Sequence, residues 1–312
     1  MGDKLLSWVL LIVLALIWGS SFILMNKGMF GSDGSTLYTS NQVAALRIFF
    51  ASIFLAPIAL GSLKIVNKNN FLPILTVGVC GNFLPAFLFT YAETTLNHSL
   101  VGVLNSTTPI FTILLGILFF QAKASYWHAI GIFVSTLGLF GLLGMGSNID
   151  LSSSLKYIGA VLFATLCYAT SVNTIKRYLT KIPPIKLTSL AFFMVLFPSA
   201  IILFFVFPGE NVIWNNDFQE GIIYILILGI IGTSIAVILF NRMIQISSAI
   251  FASSVTYLIP IVALLWGVAD GEEVNWIQVV SMLLIVGGVL IINWASRKMS
   301  KKAVDNLKNI KE

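Results

Sequence analysis

Apolar residues dominate ten long segments of the chain, and short polar connections separate them. Each segment is about 20 residues long, the length that an α-helix needs to cross the hydrocarbon core of a bilayer. A transmembrane β-barrel would instead show alternating segments of about ten residues with a polar inner face. The pattern therefore predicts an all-α integral membrane protein with ten transmembrane helices, at 5–26, 41–61, 71–92, 99–120, 126–145, 155–175, 187–207, 220–241, 249–269 and 275–295.

Composition supports this class and excludes several others. Of the 312 residues, 58% are apolar and only 10% are charged, whereas soluble domains are about 45–50% apolar and about 25% charged. A soluble core cannot bury so many apolar side chains, so the excess must face lipid. Soluble enzymes, nucleic-acid binders and disulfide scaffolds are thereby excluded, and the lipid bilayer is the expected partner.

The net charge of +6 reflects membrane orientation. With the N-terminus in the cytoplasm, the cytoplasmic side collects 15 of the 18 Lys and Arg residues, namely Lys4, Lys64, Lys68, Lys123, Lys176, Arg177, Lys181, Lys186, Arg242, Arg297, Lys298, Lys301, Lys302, Lys308 and Lys311. The outside collects only Lys27 and Lys156, together with most acidic residues. We therefore expect both termini in the cytoplasm, and the absence of targeting signals fits a bacterial plasma membrane. The basic tail, 296–312, fits either an amphipathic helix on the anionic leaflet or a solvated segment.

The two halves of the chain resemble each other. Lys27 corresponds to Lys176 at an offset of 149, and Pro109 corresponds to Pro260 at an offset of 151. Because each repeat has five helices, an odd number, the second repeat must enter the membrane from the opposite side. Such inverted repeats give many secondary transporters two related states with a substrate site near the bilayer midplane. We place the two repeats at 1–145 and 155–295.

These features, taken in order, resemble the EamA-type branch of the drug/metabolite transporter superfamily. Besides the ten helices and two repeats, they are the early Trp18-Gly-Ser-Ser-Phe22, Arg47 in the second helix, the two mid-helix prolines and a Gly271-Glu272 at the last hairpin. The resemblance covers the chain except its tail, and it implies export or exchange of small metabolites, often amino acids. The chain departs from repeat symmetry at Gln121, which stands where the second repeat has Glu272.

The two prolines, Pro109 and Pro260, predict helix kinks and a central site. Each removes the backbone hydrogen bond to the carbonyl four residues back, which frees the carbonyl groups of Asn105 and Thr256. These groups need partners in the membrane, so either neighbouring hydroxyls satisfy a simple kink or the kinks line a substrate cavity. For the cavity, the candidate substrate-binding residues are Trp18, Ser20, Ser21, Asn82, Asn105, Ser106, Thr107, Tyr168, Thr256 and Tyr257.

Arg47 is the one ionisable residue well inside a predicted span, where charges are costly and usually functional. Glu93 ends the third segment on the same side, so two interpretations stay open. Arg47 either forms a gate or pair with Glu93, or it extends outward to the interface. Since no acidic residue is expected at mid-membrane, facilitated diffusion or exchange is as well supported as proton antiport.

Other functions find little support in the sequence. His98 and His128 fall at helix ends on opposite sides of the membrane, so an intramembrane catalytic or metal site cannot be assembled. The chain has no P-loop for nucleotide-driven pumping, and Cys80 and Cys167 fit as small apolar packing residues. We predict a carrier for a small-molecule substrate that is not an enzyme, with no cofactor and no metal. A homodimer, another solute class (nucleoside, sugar or drug), an intramembrane enzyme and a receptor stay as alternatives.

Overall fold

The computed structural model describes residues 2–31, 34–96, 98–143, 151–206, 216–269 and 275–309. Within these residues the secondary structure is helical, apart from an isolated bridge between Phe30 and Thr36. The α-helices are α1 Asp3–Met29, α2 Ser40–Leu60, α3 Phe71–Gly78, α4 Leu84–Glu93, α5 His98–Asn105, α6 Thr108–Phe120, α7 Tyr126–Leu143, α8 Leu151–Tyr178, α9 Pro184–Val206, α10 Asn216–Gly229, α11 Ala236–Ile246, α12 Ala249–Ser253, α13 Ile259–Ala269 and α14 Trp276–Asn309. Two π turns, Val79–Phe83 and Ile230–Ile235, join α3 to α4 and α10 to α11, and 3-10 helices lie at Leu63–Ile65 and Ser254–Tyr257.

Several helices are long and apolar enough to cross a membrane. Seven such segments occur among the described residues: Asp3–Met29, Ser40–Leu60, Phe71–Glu93, Ser154–Tyr178, Pro184–Phe205, Gln219–Ile246 and Trp276–Met299. Three shorter apolar helices complete the series, namely Thr108–Phe120, Tyr126–Gly141 and Ala249–Val262. The structure thus confirms an all-helical, multi-pass membrane protein, while the count of ten crossings stays a prediction.

The segments 99–120 and 249–269 are broken helices, although the sequence predicts continuous helices with a kink at each proline. In the first segment, α5 ends at Asn105 and α6 begins at Thr108. In the second, a 3-10 turn separates α12 from α13. Pro109 and Pro260 are the second residues of α6 and α13, where the missing N–H would have no intrahelical partner in any case. The prolines therefore begin new helices instead of bending continuous ones.

The remaining boundaries agree with the predicted spans to within five residues, with one exception. Helix α14 continues to Asn309, so described residues of the basic tail extend the last helix without a break. The predicted ends at 145 and 207 lie outside the described residues, as do Gly271, Glu272 and the side chain of His98.

The two halves share their irregularities at equivalent positions. The π turns begin 151 residues apart, and the helix breaks occupy matching places. Around each π turn a glycine faces a serine of the other half: a Cβ on Gly232 would lie 2.9 Å from Ser21 Oγ, and a Cβ on Gly81 would collide with Ser171 Oγ. Helix α1 therefore passes closely over the second π turn, as α8 does over the first.

Buried apolar side chains connect the halves to each other. Leu11 and Leu14 of α1, for example, belong to the same buried cluster as Met243 and Phe251. Large exposed apolar side chains, such as Phe119 and the consecutive Phe204 and Phe205, lie on outer faces. That distribution is expected for helices that face lipid, and it places the packed interior between the two repeats.

Candidate substrate cavity

A cavity of about 110 Å³ lies among residues from both halves of the chain. Its lining includes side chains from α1, α2, both π turns, the two helix breaks and α8. No described residue of α7, α9, α10 or α14 contributes to it. The polar residues that line the cavity are Ser21, Arg47, Asn82, Asn105, Thr108, Ser171, Thr233, Asn241, Ser253 and Thr256, and the aromatic residues are Trp18, Phe22, Phe89, Tyr168 and Phe240.

The structure brings together six of the ten predicted substrate-binding residues at this cavity: Trp18, Ser21, Asn82, Asn105, Tyr168 and Thr256. The other four, Ser20, Ser106, Thr107 and Tyr257, are not part of the lining. Ser20 Oγ accepts a 2.9 Å hydrogen bond from Trp266 Nε1. The hydroxyl groups of Thr107 and Thr165 lie 3.1 Å apart, and those of Tyr257 and Thr136 lie 3.3 Å apart. The contacts of Thr107 and Tyr257 join the two breaks to α8 and α7, and the bond to Ser20 joins α13 to α1.

The carbonyl groups that the two prolines leave without a backbone donor both accept a hydroxyl group. Thr108 Oγ1 donates to Asn105 O at 2.6 Å, and Ser106 Oγ donates to Thr256 O at 2.8 Å. The two alternatives stated for the prolines are therefore compatible. Neighbouring hydroxyls satisfy the carbonyl groups, and Asn105 and Thr256 also line the cavity.

Side-chain donors also satisfy carbonyl groups at the second π turn, where the shift from α-helical bonding leaves some without a regular partner. Trp18 Nε1 donates to Gly232 O at 3.0 Å, and the Trp18 ring meets Phe240 edge-on with a centroid distance of 5.1 Å. Ser234 Oγ bridges Gly229 O at 3.1 Å and Ala51 O at 3.2 Å. The π turn is thus fixed against helices of the first repeat.

The first π turn has a similar arrangement. Asn82 Nδ2 donates to Val77 O at 3.1 Å, five residues back in the chain. Asn82 is buried and lines the cavity. Equivalent polar residues, Asn82 and Thr233, therefore occupy the cavity side of the two π turns.

Arg47 lines the cavity. Its Nε donates to Thr233 Oγ1 at 2.6 Å. Glu93 and Tyr168 are within electrostatic reach of the guanidinium. Glu93 is buried at the end of α4, outside the lining. The bond to Thr233 joins α2 to the second π turn, so Arg47 also links the two repeats.

The two cysteines are free thiols, one in each half of the chain, and they lie close together in space. The thiol of Cys80, in the first π turn, lies close enough to Cys167 of α8 to interact with it. Among the described residues, no group of three His, Cys, Asp or Glu side chains could hold a metal ion.

The pattern that defines the EamA-like transporter family matches residues 6–144 and, a second time, residues 155–294. The chain belongs to the EamA-like transporter family. The two matches confirm the resemblance stated above and the two-repeat architecture.

Similar full-length proteins support the same assignment. This EamA-like chain is 25% identical over 293 residues to the uncharacterized transporter YdfC of Bacillus subtilis, covering 91% of this chain and 90% of that one. It is 24% identical over 287 residues to an uncharacterized transporter of Archaeoglobus fulgidus, covering 91% and 98%. Protein PagO of Salmonella typhimurium is 24% identical over 283 residues, covering 89% and 88%. A solved crystal structure shares the fold, with a TM-score of 0.71 over 94% of this chain and 98% of the other at 15% identity.

The candidate list from the sequence leaves out five polar residues of this cavity, namely Thr108, Ser171, Thr233, Asn241 and Ser253. Ser171 lies one turn after Cys167 and Tyr168, so helical periodicity alone could have found it. The sequence predicts a span that ends at Asn241, whereas α11 continues to Ile246 and leaves Asn241 buried.

Proposed function

We propose that this chain is a secondary transporter that moves small metabolites, amino acids or related compounds, across the plasma membrane. Transport is mainly outward and proceeds by alternating access around the central cavity. The observation that supports the proposal most directly is that the helix breaks of both repeats line one cavity. Broken helices at the interface of two repeats are typical of the substrate sites of secondary transporters.

The proposed topology has ten crossings in two inverted repeats, 1–145 and 155–295, with both termini in the cytoplasm. The seven long apolar segments and three shorter apolar helices supply ten apolar stretches. In this topology α5 with α6 and α12 with α13 each form one broken crossing. The excess of Lys and Arg in alternate connections supports the orientation.

In this proposal the residues near the cavity have two roles. The substrate contacts six of them, namely Trp18, Ser21, Asn82, Asn105, Tyr168 and Thr256. Four other residues hold the helix breaks and influence the substrate through them, namely Ser20, Ser106, Thr107 and Tyr257. Arg47 and Glu93 form an electrostatic pair at the cavity. No acidic side chain lines the cavity among the described residues, which favours exchange or facilitated diffusion over proton antiport. The chain performs no covalent chemistry.

Flux across a sealed bilayer tests the proposal. Purified protein is reconstituted into liposomes, which are preloaded with labelled amino acids, organic acids, nucleosides and sugars, with and without a pH gradient. We expect saturable release of a subset of these solutes without the gradient, and no such release from protein-free liposomes. Release of nucleosides or sugars alone would assign another solute class. No saturable release of any solute would contradict the proposed function.

A further inference from the structure

The cavity lining carries one charged side chain. Arg47 is the only charged residue among the described residues that line it. Placing a charged group inside a membrane protein, away from water, is costly unless an opposite charge or hydrogen bonds compensate it. Thr233 and Glu93 compensate Arg47 in part, and a single guanidinium at the surface of an otherwise neutral cavity also stabilises an anionic group of whatever enters.

Hydrogen bonds orient this guanidinium. Thr233 Oγ1 accepts from Arg47 Nε at 2.6 Å, and the same hydroxyl donates to Leu228 O at 2.9 Å. Because its only proton points to Leu228 O, the Thr233 hydroxyl can act only as an acceptor toward Arg47. This fixes one edge of the guanidinium against the second π turn. A guanidinium has five N–H donors, and its planar pairs of N–H groups match the two oxygens of a carboxylate.

The two ionisable neighbours of Arg47 occupy different places. Tyr168 lines the cavity together with Arg47, and its ring stacks on Phe89 with a centroid distance of 5.8 Å. Glu93 acts on Arg47 from a buried position outside the lining. Tyr168 thus adds a hydroxyl group on the cavity side, and Glu93 offsets part of the positive charge without occupying the cavity.

We infer that the cavity binds its substrate through a carboxylate group held by Arg47, and that an ammonium group on the substrate is not required. The inference rests on the proposed function, since it assigns the substrate chemistry of the same cavity. No acidic side chain among the described lining residues would compensate an ammonium group. Aromatic rings such as Trp18, Phe22 and Phe240 suit an uncharged, partly apolar remainder. The expected class is small monocarboxylates, such as amino acids and 2-oxo acids, and it excludes amines without a carboxylate.

Four probes that share an isobutyl group test the inference: L-leucine, 4-methyl-2-oxopentanoate, L-leucinamide and 3-methylbutylamine. The first two have a carboxylate, the third replaces it with a neutral amide, and the fourth has only the amine. Saturable uptake of each labelled probe into proteoliposomes is measured, with protein-free liposomes subtracted. We expect both acids to be transported, and the amide and the amine to be slower by about tenfold or more, because hydrogen bonds to a charged group are lost. For every carboxylic acid that is transported in the wider flux panel, uptake of the acid is likewise compared with uptake of its amide.

Substitutions at Arg47 test the residue itself. Arg47→Gln removes the charge, Arg47→Lys keeps the charge without the planar pair of donors, and Arg242→Gln is the matched control because Arg242 is exposed and lies outside the cavity. We expect Arg47→Gln to raise the KM for the acids by about tenfold or more, with Arg47→Lys intermediate and Arg242→Gln unchanged. The kinetics of any measurable amide uptake should not respond to Arg47→Gln.

The outcomes separate this inference from the proposed function. Transport of the amide or amine at the rate of the acids, or of neutral sugars and nucleosides only, would overturn the inference and leave a transporter. Absence of saturable flux for every solute would overturn both. If Arg47→Gln does not elute as a folded protein in size-exclusion chromatography, the comparison of acid with amide in the unaltered protein decides alone.

Discussion

The one hydroxyl proton of Ser106 is shared between two main-chain carbonyl oxygens, that of Thr256 at 2.8 Å and that of Gly102, one turn back in the chain, at 2.9 Å. Thr256 O lies four residues before Pro260, which has no N–H to offer it. The break in the first repeat therefore supplies the hydrogen bond that the break in the second repeat lacks. Ser106 is buried in this position, and water has little access to replace the bond.

This relationship predicts that Ser106→Ala destabilises the protein more than the loss of a buried serine hydroxyl that bonds only within its own helix. A buried carbonyl group without a donor costs about 1–3 kcal/mol. Ser189→Ala is the matched control, because the buried Ser189 hydroxyl donates only to Ile185 O within its own helix. Thermal unfolding in detergent is the measurement, and we expect a clearly lower Tm for Ser106→Ala. Equal shifts for the two variants would show that the contact between the breaks contributes nothing specific.

The helix breaks show how far sequence reasoning reaches. A proline identifies the carbonyl group that it frees, so Asn105 and Thr256 could be named from the sequence. Proline is equally acceptable in the first turn of a new helix, so the sequence did not distinguish a kink from a break. The donor to Thr256 O could not be named either, because Ser106 is 150 residues away in the chain and only tertiary packing brings it close.

A second prediction concerns the cavity side of the same breaks. Asn105→Ala and Thr256→Ala remove polar side chains that line the cavity. We expect each variant to reduce flux by about two- to tenfold, the effect of losing one neutral hydrogen bond to a substrate. Proteoliposome flux per folded molecule is the measurement. Asn69→Ala, in an exposed connection, is the control and should be neutral. Unchanged flux in both cavity variants would remove these residues from the substrate site.

The polar lining could be predicted only in part, for a physical reason. Candidates such as Asn82 and Tyr168 are unusual in a membrane span and attract notice by residue type. Small hydroxyl residues often bond to their own helix, so type alone does not separate Ser171, at the cavity, from Ser189, away from it. Arg47 was noticed, but Thr233 as its acceptor depends on the local geometry of a π turn.

A third prediction concerns the glycine and serine contacts at the π turns. Gly81→Ala introduces a methyl group that collides with Ser171 Oγ, and overpacking of this kind costs about 1–3 kcal/mol. Ser171→Ala removes the colliding oxygen and should restore part of the lost thermal stability in the double variant. Gly159→Ala is the control, because a Cβ there meets no atom within 4 Å.

Alanine is a better helix former than glycine, so the control Gly159→Ala should leave the Tm unchanged or raise it slightly. A double-mutant cycle with Gly81→Ala, Ser171→Ala and their combination then isolates the contact. If Gly81→Ala is as harmless as Gly159→Ala, the close approach of α8 to the first π turn does not exist in the membrane.

The last prediction uses two lysines at equivalent positions of the repeats that make different contacts. Lys176 Nζ donates to Ile244 O at 3.0 Å and Gln245 O at 3.3 Å, and it also contacts Ser247 O. It therefore caps the carbonyl end of α11, where a cation is favourable. Lys27 instead lies over the Tyr224 ring, 5.4 Å from its centroid.

We expect Lys176→Met to lower the free energy of unfolding by about 1–3 kcal/mol, because the capped carbonyl groups lose a charged donor. Lys27→Met retains an apolar contact with the ring and should cost clearly less. Thermal unfolding of the two variants side by side is the measurement, and methionine preserves the unbranched chain in both. A larger loss of stability for Lys27→Met than for Lys176→Met would contradict the prediction. The connection after α11 would then not depend on Lys176.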